Sequence, residues 1–210
     1  MKNITVVFFV VFVLILRQES FSQTLGVKAG LNLSNVVFKN NAADFNIQPG
    51  FHAGATVEIP INRAFIFETD LLISTKGYRE RAEIQFLDMH EDVRTYYLEV
   101  PLLAKAFFEI PTMTFSLFAG PYLGIGIYGK DKGSVNSNGE FSSWSKKIAW
   151  GSQIKRLDYG FVFGPGVQIK HIQISLSHGL GLANISPFNS MKMHNRITEI
   201  SVGYKFLEND

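Results

Sequence analysis

The feature that most constrains this chain is an alternation of apolar and polar residues with a period of two, running through eight segments between Leu25 and Phe206. Successive side chains of a strand point to opposite faces, so each such segment carries one apolar and one polar face. The first segment, LGVKAGLNLS, sets Leu25, Val27, Ala29, Leu31 and Leu33 against Gly26, Lys28, Gly30, Asn32 and Ser34. The second, FHAGATVEI, sets Phe51, Ala53, Ala55, Val57 and Ile59 against His52, Gly54, Thr56 and Glu58. The third runs from Phe65 to about Thr75 and opposes Phe67, Leu71 and Ile73 to Glu68, Asp70 and Ser74, with Ile66 and Leu72 interrupting the polar face. In the fourth, YYLEVPLLAKAFF, Tyr96, Leu98, Val100, Leu102, Ala104 and Ala106 oppose Glu99 and Lys105.

The fifth segment places Phe115, Leu117, Ala119, Pro121, Leu123, Ile125 and Ile127 on one parity and Thr114, Ser116, Gly120, Gly124 and Gly126 on the other. The sixth, LDYGFVFGPGVQI, repeats the pattern with Asp158 on its polar side; the seventh, HIQISLSHGLGL, does so with His178 as the one exception. The eighth, ITEISVGYKF, sets Ile200, Val202, Tyr204 and Phe206 against Glu199, Ser201, Gly203 and Lys205. No Asp, Glu, Lys or Arg stands on any of these apolar faces, the depletion that a lipid-facing barrel wall demands.

Composition agrees: 19 Phe, 7 Tyr and 18 Gly among 210 residues, with no long amphipathic helix pattern after residue 23, point to an all-β chain. There is no cysteine, so no disulfide staples the fold. The formal net charge of +2 gives no basic field for nucleic acid.

The N-terminus, MKNITVVFFVVFVLILRQESFSQ, has Lys2, an unbroken apolar run from Val6 to Leu16 and small residues at Ser20 and Ser22. The run is too short to span a bilayer as a helix and fits the core of a secretory signal peptide. Residues 1–22 are therefore expected to be a signal peptide cleaved after Ser22, leaving one domain over 23–210.

The stretch GPYLGIGIYGKDKG contains the letters of two nucleotide-binding motifs: Gly124, Gly126 and Gly129 as GxGxxG, and Gly124, Gly129 and Lys130 as a phosphate loop. Both need a strand, a turn and then a helix N-terminus. Here the strand alternation runs through the glycines, the residues that follow carry no helical periodicity, and Asp131 stands where a phosphate loop needs Ser or Thr. The glycines are spacing residues within a strand, and Lys130 is expected to start a polar outer loop that reaches about Arg156.

Links are brief after segments two, four and six (PINRA, EIPTM, KH) and longer after one, three, five and seven. Short turns at one end and long loops at the other, with both termini at the short end, is the layout of a bacterial outer-membrane barrel. The expected fold is an eight-stranded antiparallel transmembrane β-barrel. Alternation alone leaves a rival, a soluble lipocalin-like periplasmic carrier with the apolar face inward. Segment length, aromatic residues near segment ends and the loop rhythm favour the membrane arrangement. Lys28, Glu58, Glu68, Asp70, Glu99, Lys105, Asp158, Glu199 and Lys205 then face a narrow lumen, where they must pair rather than line an open channel.

His52, His90, His171, His178 and His194 show no metal-ligand spacing, and no cofactor is implied. Glu68, Asp70 and Glu99 could serve acid–base chemistry, but lysines on the same face make a salt-bridged interior the simpler account. Ser142, Ser143, Ser145, His90 and His194 lie in the expected outer loops without a nucleophile signature, so no enzyme is expected. Phe86, Phe141, Trp144, Trp150 and Phe188 stand among charges in those loops, where they either form a contact surface for a protein or glycan partner or pack on each other.

At YYLEVPLLAKAFF the chain resembles the small outer-membrane β-barrel family of Bacteroidetes that includes the PorT-like proteins, whose fourth strand commonly reads like YLEIPLLLK. GVKAGLNLSNV, AGPYLGIGIYGK, LDYGFVFGPGVQI, HGLGLANIS and ISVGYKF match in the same order across nearly all of 23–210. The resemblance implies an outer-membrane barrel from a Gram-negative bacterium of that phylum and says little of activity; a monomer is expected. One branch is linked to a protein-secretion apparatus, which leaves an accessory secretion component and a narrow passive pore as alternatives to a structural or binding role.

Overall fold

The computed structural model describes residues 23–39, 46–84, 87–137, 140–188 and 191–206; the expected signal peptide and Phe86 lie outside the described residues. Among them run nine strands: β1 (Thr24–Lys39), β2 (Gln48–Pro60), β3 (Phe65–Ile84), β4 (Leu87–Ile110), β5 (Met113–Ser137), β6 (Glu140–Lys147), β7 (Leu157–Ile169), β8 (Ile172–Gly181) and β9 (Lys192–Lys205). All are joined by antiparallel ladders in the order β4-β3-β2-β1-β9-β8-β7-β5-β6, and β4 also pairs with β5. That last pairing returns the sheet to its start, so eight of the strands form a closed ring and β6 hangs on the far half of β5.

The expected count of eight strands is thus corrected to nine, and the expected polar loop after Gly129 is largely strand. β5 continues through Ser137, pairing with β4 from Arg94 back to Leu87, and β6 then folds onto it from Lys147 to Glu140. β3 likewise extends past Thr75 to Ile84 and pairs with the start of β4. These outer halves bury few apolar side chains, Val93 and Tyr78 among them. Their backbone groups satisfy one another in ladders, and this makes extended structure stable where side-chain alternation fades.

The ring is inverted relative to a water-soluble protein. Leu31 is 66% exposed while its neighbour Asn32 is 0% exposed, and the same contrast runs along β7, β8 and β9. The apolar parity faces out on every ring strand, and the polar parity is enclosed. One defect changes the phase: Tyr96 pairs with Tyr128 and Tyr97 with Gly126, which leaves Ile127 as a bulge with Ile127 and Tyr128 both exposed. A bulge re-aims every later side chain of its strand. Gly129 and Asp131 are buried as a result, where an unbroken alternation would have turned them outward.

The interior is not polar throughout. Leu103, Phe118, Tyr122 and Val162 form a small apolar cluster within the ring. At the long-loop end Val36, Val93, Ile148, Ile154, Ala183, Ile185 and Met193 form a larger one, with Phe38, Tyr78 and Trp150 packed on it. This second cluster caps the polar interior. Its closeness depends on Gly126, where an added Cβ would stand 2.3 Å from the Trp150 ring.

Candidate functional site

Five adjacent strands supply the first group of interior charges. Lys28 on β1 sits 2.5 Å from Glu68 Oε1 and 2.6 Å from Asp70 Oδ2 on β3. Lys105 on β4 contacts Glu68 in turn and also Glu58 on β2. Lys205 on β9 closes the chain, 2.5 Å from Glu58 Oε2, and donates to Gln168 Oε1 as well. The seven groups form one continuous line around the short-turn half of the ring. Each carboxylate answers a lysine whose burial would otherwise be costly.

A second group lies nearer the cap. Lys76 on β3, 0% exposed, is 2.5 Å from Glu99 Oε2 on β4 and 3.0 Å from Asp158 Oδ2 on β7. Asp158 also accepts from Asn195 Nδ2 at 2.9 Å and from the Tyr122 hydroxyl at 3.3 Å. The Lys76 ammonium stands 4.1 Å from the Tyr122 ring centroid. Between the two groups, His52 holds Asn32 Oδ1 through Nδ1 at 2.6 Å and Ser201 Oγ through Nε2 at 2.9 Å, and Ser177 donates to Glu199 at 3.1 Å. The space beside Lys28, His52, Asp70, Glu99 and Glu199 is about 30 Å³, room for about one or two waters.

All nine charged positions singled out in the sequence lie on this enclosed face. Lys76 and His52 belong to the same networks and were not singled out. Lys76 shares the parity of Glu68, Asp70 and Ser74, so extending the third segment by one residue pair would have found it. His52 stood on the polar face of the second segment, but only the strand register brings Asn32 and Ser201 to it.

The aromatic residues of the loop end are dispersed. Phe141 is 71% exposed near the β5–β6 tip, opposite Asn136. Trp144, half-buried, lies over Gly133 and donates its Nε1–H to Asp131 at 2.9 Å. Trp150 packs edge-on against Tyr97 in the cap, at 6.1 Å between centroids, and Phe188 is exposed beyond β8. Asp131 also faces Lys146 at 3.4 Å. In this outer extension burial raises the Glu91 carboxyl above its ordinary range, with the Asp131 and Glu80 charges adding to the rise and Lys146 opposing it. Tyr78, also raised, is affected by burial first and then by Glu91, Glu80 and Asp131. Among the described residues no group of His, Asp and Glu is arranged to hold a metal ion.

Solved structures similar in fold include the attachment invasion locus protein Ail of Yersinia pestis, solved with the heparin analogue sucrose octasulfate (15% identity, 88% of this chain and 99% of that one, TM-score 0.41). Others are the Neisserial surface protein A (14%, 86% and 95%, 0.41) and the outer membrane protein OprG of Pseudomonas aeruginosa (12%, 90% and 98%, 0.41). No curated protein matches the chain. The family model of the outer membrane protein beta-barrel domain matches residues 21–186, most of the sequence, and the chain belongs to that family.

Proposed function

We propose that the eight-stranded ring crosses the outer membrane of a Gram-negative bacterium as a monomeric barrel with a closed lumen, and that its role is structural or binding, exercised through the loop end. The observation that carries this reading is the inversion of the wall: leucines, isoleucines and aromatics outward, lysine–carboxylate networks inward. In water such a surface would be an aggregation site; in a bilayer it is the correct solvent match. Residues 1–22 direct export and are removed after Ser22, and 23–210 form the barrel domain. The interior carboxylates hold lysines in place instead of awaiting a substrate, so the role is not enzymatic.

Phe141, Trp144 and Phe188 at the loop end offer contact area to a protein or glycan partner. The family that the strand motifs resemble includes the PorT-like proteins, one branch of which is linked to a secretion apparatus; co-purification of secretion proteins would support an accessory role there.

The test is fractionation of cells making the full chain, followed by gel migration of boiled and unboiled detergent extracts. Recovery in the outer membrane with heat-modifiable migration is expected. Recovery in the soluble periplasm would overturn the reading. In planar bilayers the purified protein is expected to show no stable conductance, and a steady channel would overturn the closed lumen.

A further inference from the structure

The outward face of the extension carries a row of cations that no acid answers. Register puts Arg94 of β4 opposite Lys130 of β5, and Lys130 opposite Lys147 of β6, so three positive side chains stand side by side on three adjacent strands. Lys132 lies one step further out on the same face of β5. Like charges directly opposite one another in a sheet destabilise it. Asp92, the cross-strand partner of Lys132, is engaged elsewhere, accepting from Arg79 Nε at 3.2 Å and from Gln48 Nε2 at 3.1 Å. Among the described residues Arg94, Lys130, Lys132 and Lys147 form no ion pair, and the buried Nε of Arg94 has no hydrogen-bond partner.

Two register positions toward the ring, Tyr96 and Tyr128 lie against each other with centroids 5.7 Å apart, and below them begins the exposed apolar strip of Leu98, Ile125, Leu102 and Leu123. Asp92, Arg94, Lys130 and Lys132, with the two tyrosines, line a recess of about 220 Å³. Aromatic girdles mark the level where acyl chains meet headgroups, so the cation row stands at headgroup height.

We propose that this recess binds the phosphate of an anionic lipid headgroup in the outer leaflet. The inference rests on the membrane reading given above. A phosphate has the charge to relieve the three-cation row and the oxygen geometry to accept two parallel N–H groups from Arg94. The tyrosine pair and the apolar strip directly beneath select a phosphate that carries acyl chains over a free one, because only the former also covers that surface.

Native mass spectrometry of the full chain in neutral detergent provides the test, with three probes: a diphosphorylated lipid A, the same lipid without phosphates, and inorganic phosphate. The wild type is expected to retain the phosphorylated lipid, to retain its phosphate-free form no better than background, and to keep the former against inorganic phosphate in large excess. The triple variant R94Q/K130Q/K147Q is expected to lose retention on the order of 100-fold at low salt. R63Q, in the short β2–β3 link, should retain lipid as the wild type does.

Equal retention by the triple variant, or equal retention of the phosphate-free lipid, would overturn the site. Displacement by inorganic phosphate would overturn the assignment to a lipid. Heat-modifiable migration of each variant reports folding independently, and fractionation of the wild type reports the membrane reading, so failure of either is told apart from failure of the site.

Discussion

Lys76 is the residue on which most of the upper interior depends. Its ammonium lies between Glu99 and Asp158, over the ring of Tyr122, with no exposure to solvent. Replacing it by Met leaves two carboxylates enclosed without their cation, and breaking a buried pair in this way costs about 3–5 kcal/mol. Urea titration of folding in detergent, followed by heat-modifiable migration, should show a loss of that size for Lys76→Met. Adding Asp158→Asn should recover part of it, because one orphaned charge is removed. A loss within the range of an ordinary surface substitution would mean that the network contributes little. The face of Lys76 was legible in the sequence because parity alone fixes it. Its partners were not: Asp158 is 82 positions away, and only the closed order of strands brings β7 within reach of β3. The same holds for Lys28 and Glu68, 40 positions apart.

The element that departs most from the sequence expectation is the extension built from the outer halves of β3, β4 and β5 together with β6. Inside the ring each strand separates lipid-like from polar surroundings, and its letters alternate. Beyond Tyr96 and Tyr128 the outward face is polar and the inward face leaves the apolar cap after Val93 and Tyr78, the alternation largely loses its cause, and a stretch such as GKDKGSVNSNGEFSSWSKK reads as loop. The bulge at Ile127 was hidden for a related reason, since two consecutive apolar letters do not say which of them is left unpaired. This extension should respond to pH. Glu80 and Glu91 are direct register partners, and Asp131 lies close enough to raise Glu91 further. A carboxyl raised in the folded state binds its proton more tightly there than in the unfolded chain. Its contribution is therefore most favourable below the ordinary carboxylate range and is lost as pH climbs through that range to the raised value. Hydrogen exchange of β3–β6 backbone amides, corrected for intrinsic rates, should show weaker protection at neutral pH than at mildly acidic pH. Glu91→Gln should flatten that difference, and an unchanged pH dependence in this variant would assign the effect elsewhere.

At the scale of the whole molecule, the inverted wall makes a demand that no single strand makes. Leu102 lies midway along the exposed strip of β4 between Tyr96 and Phe108; Leu102 is 44% exposed and Phe108, at the short-turn end, 62%. In a water-soluble ring, substitutions at two such exposed positions would each fall within about 0.5 kcal/mol of neutral. In a bilayer the cost follows depth: Arg at the midplane costs about 2–4 kcal/mol, and near an interface about 0–1 kcal/mol. Leu102→Arg and Phe108→Arg, folded into liposomes across a urea series, should therefore differ by roughly 1–4 kcal/mol, with the less exposed position the more sensitive. Equal, near-neutral values would mean that the apolar strip faces water or a partner instead of lipid. The size of the difference decides the matter, because exposure alone leaves both positions near neutral while membrane depth separates Leu102 from Phe108 by more than an ordinary surface effect.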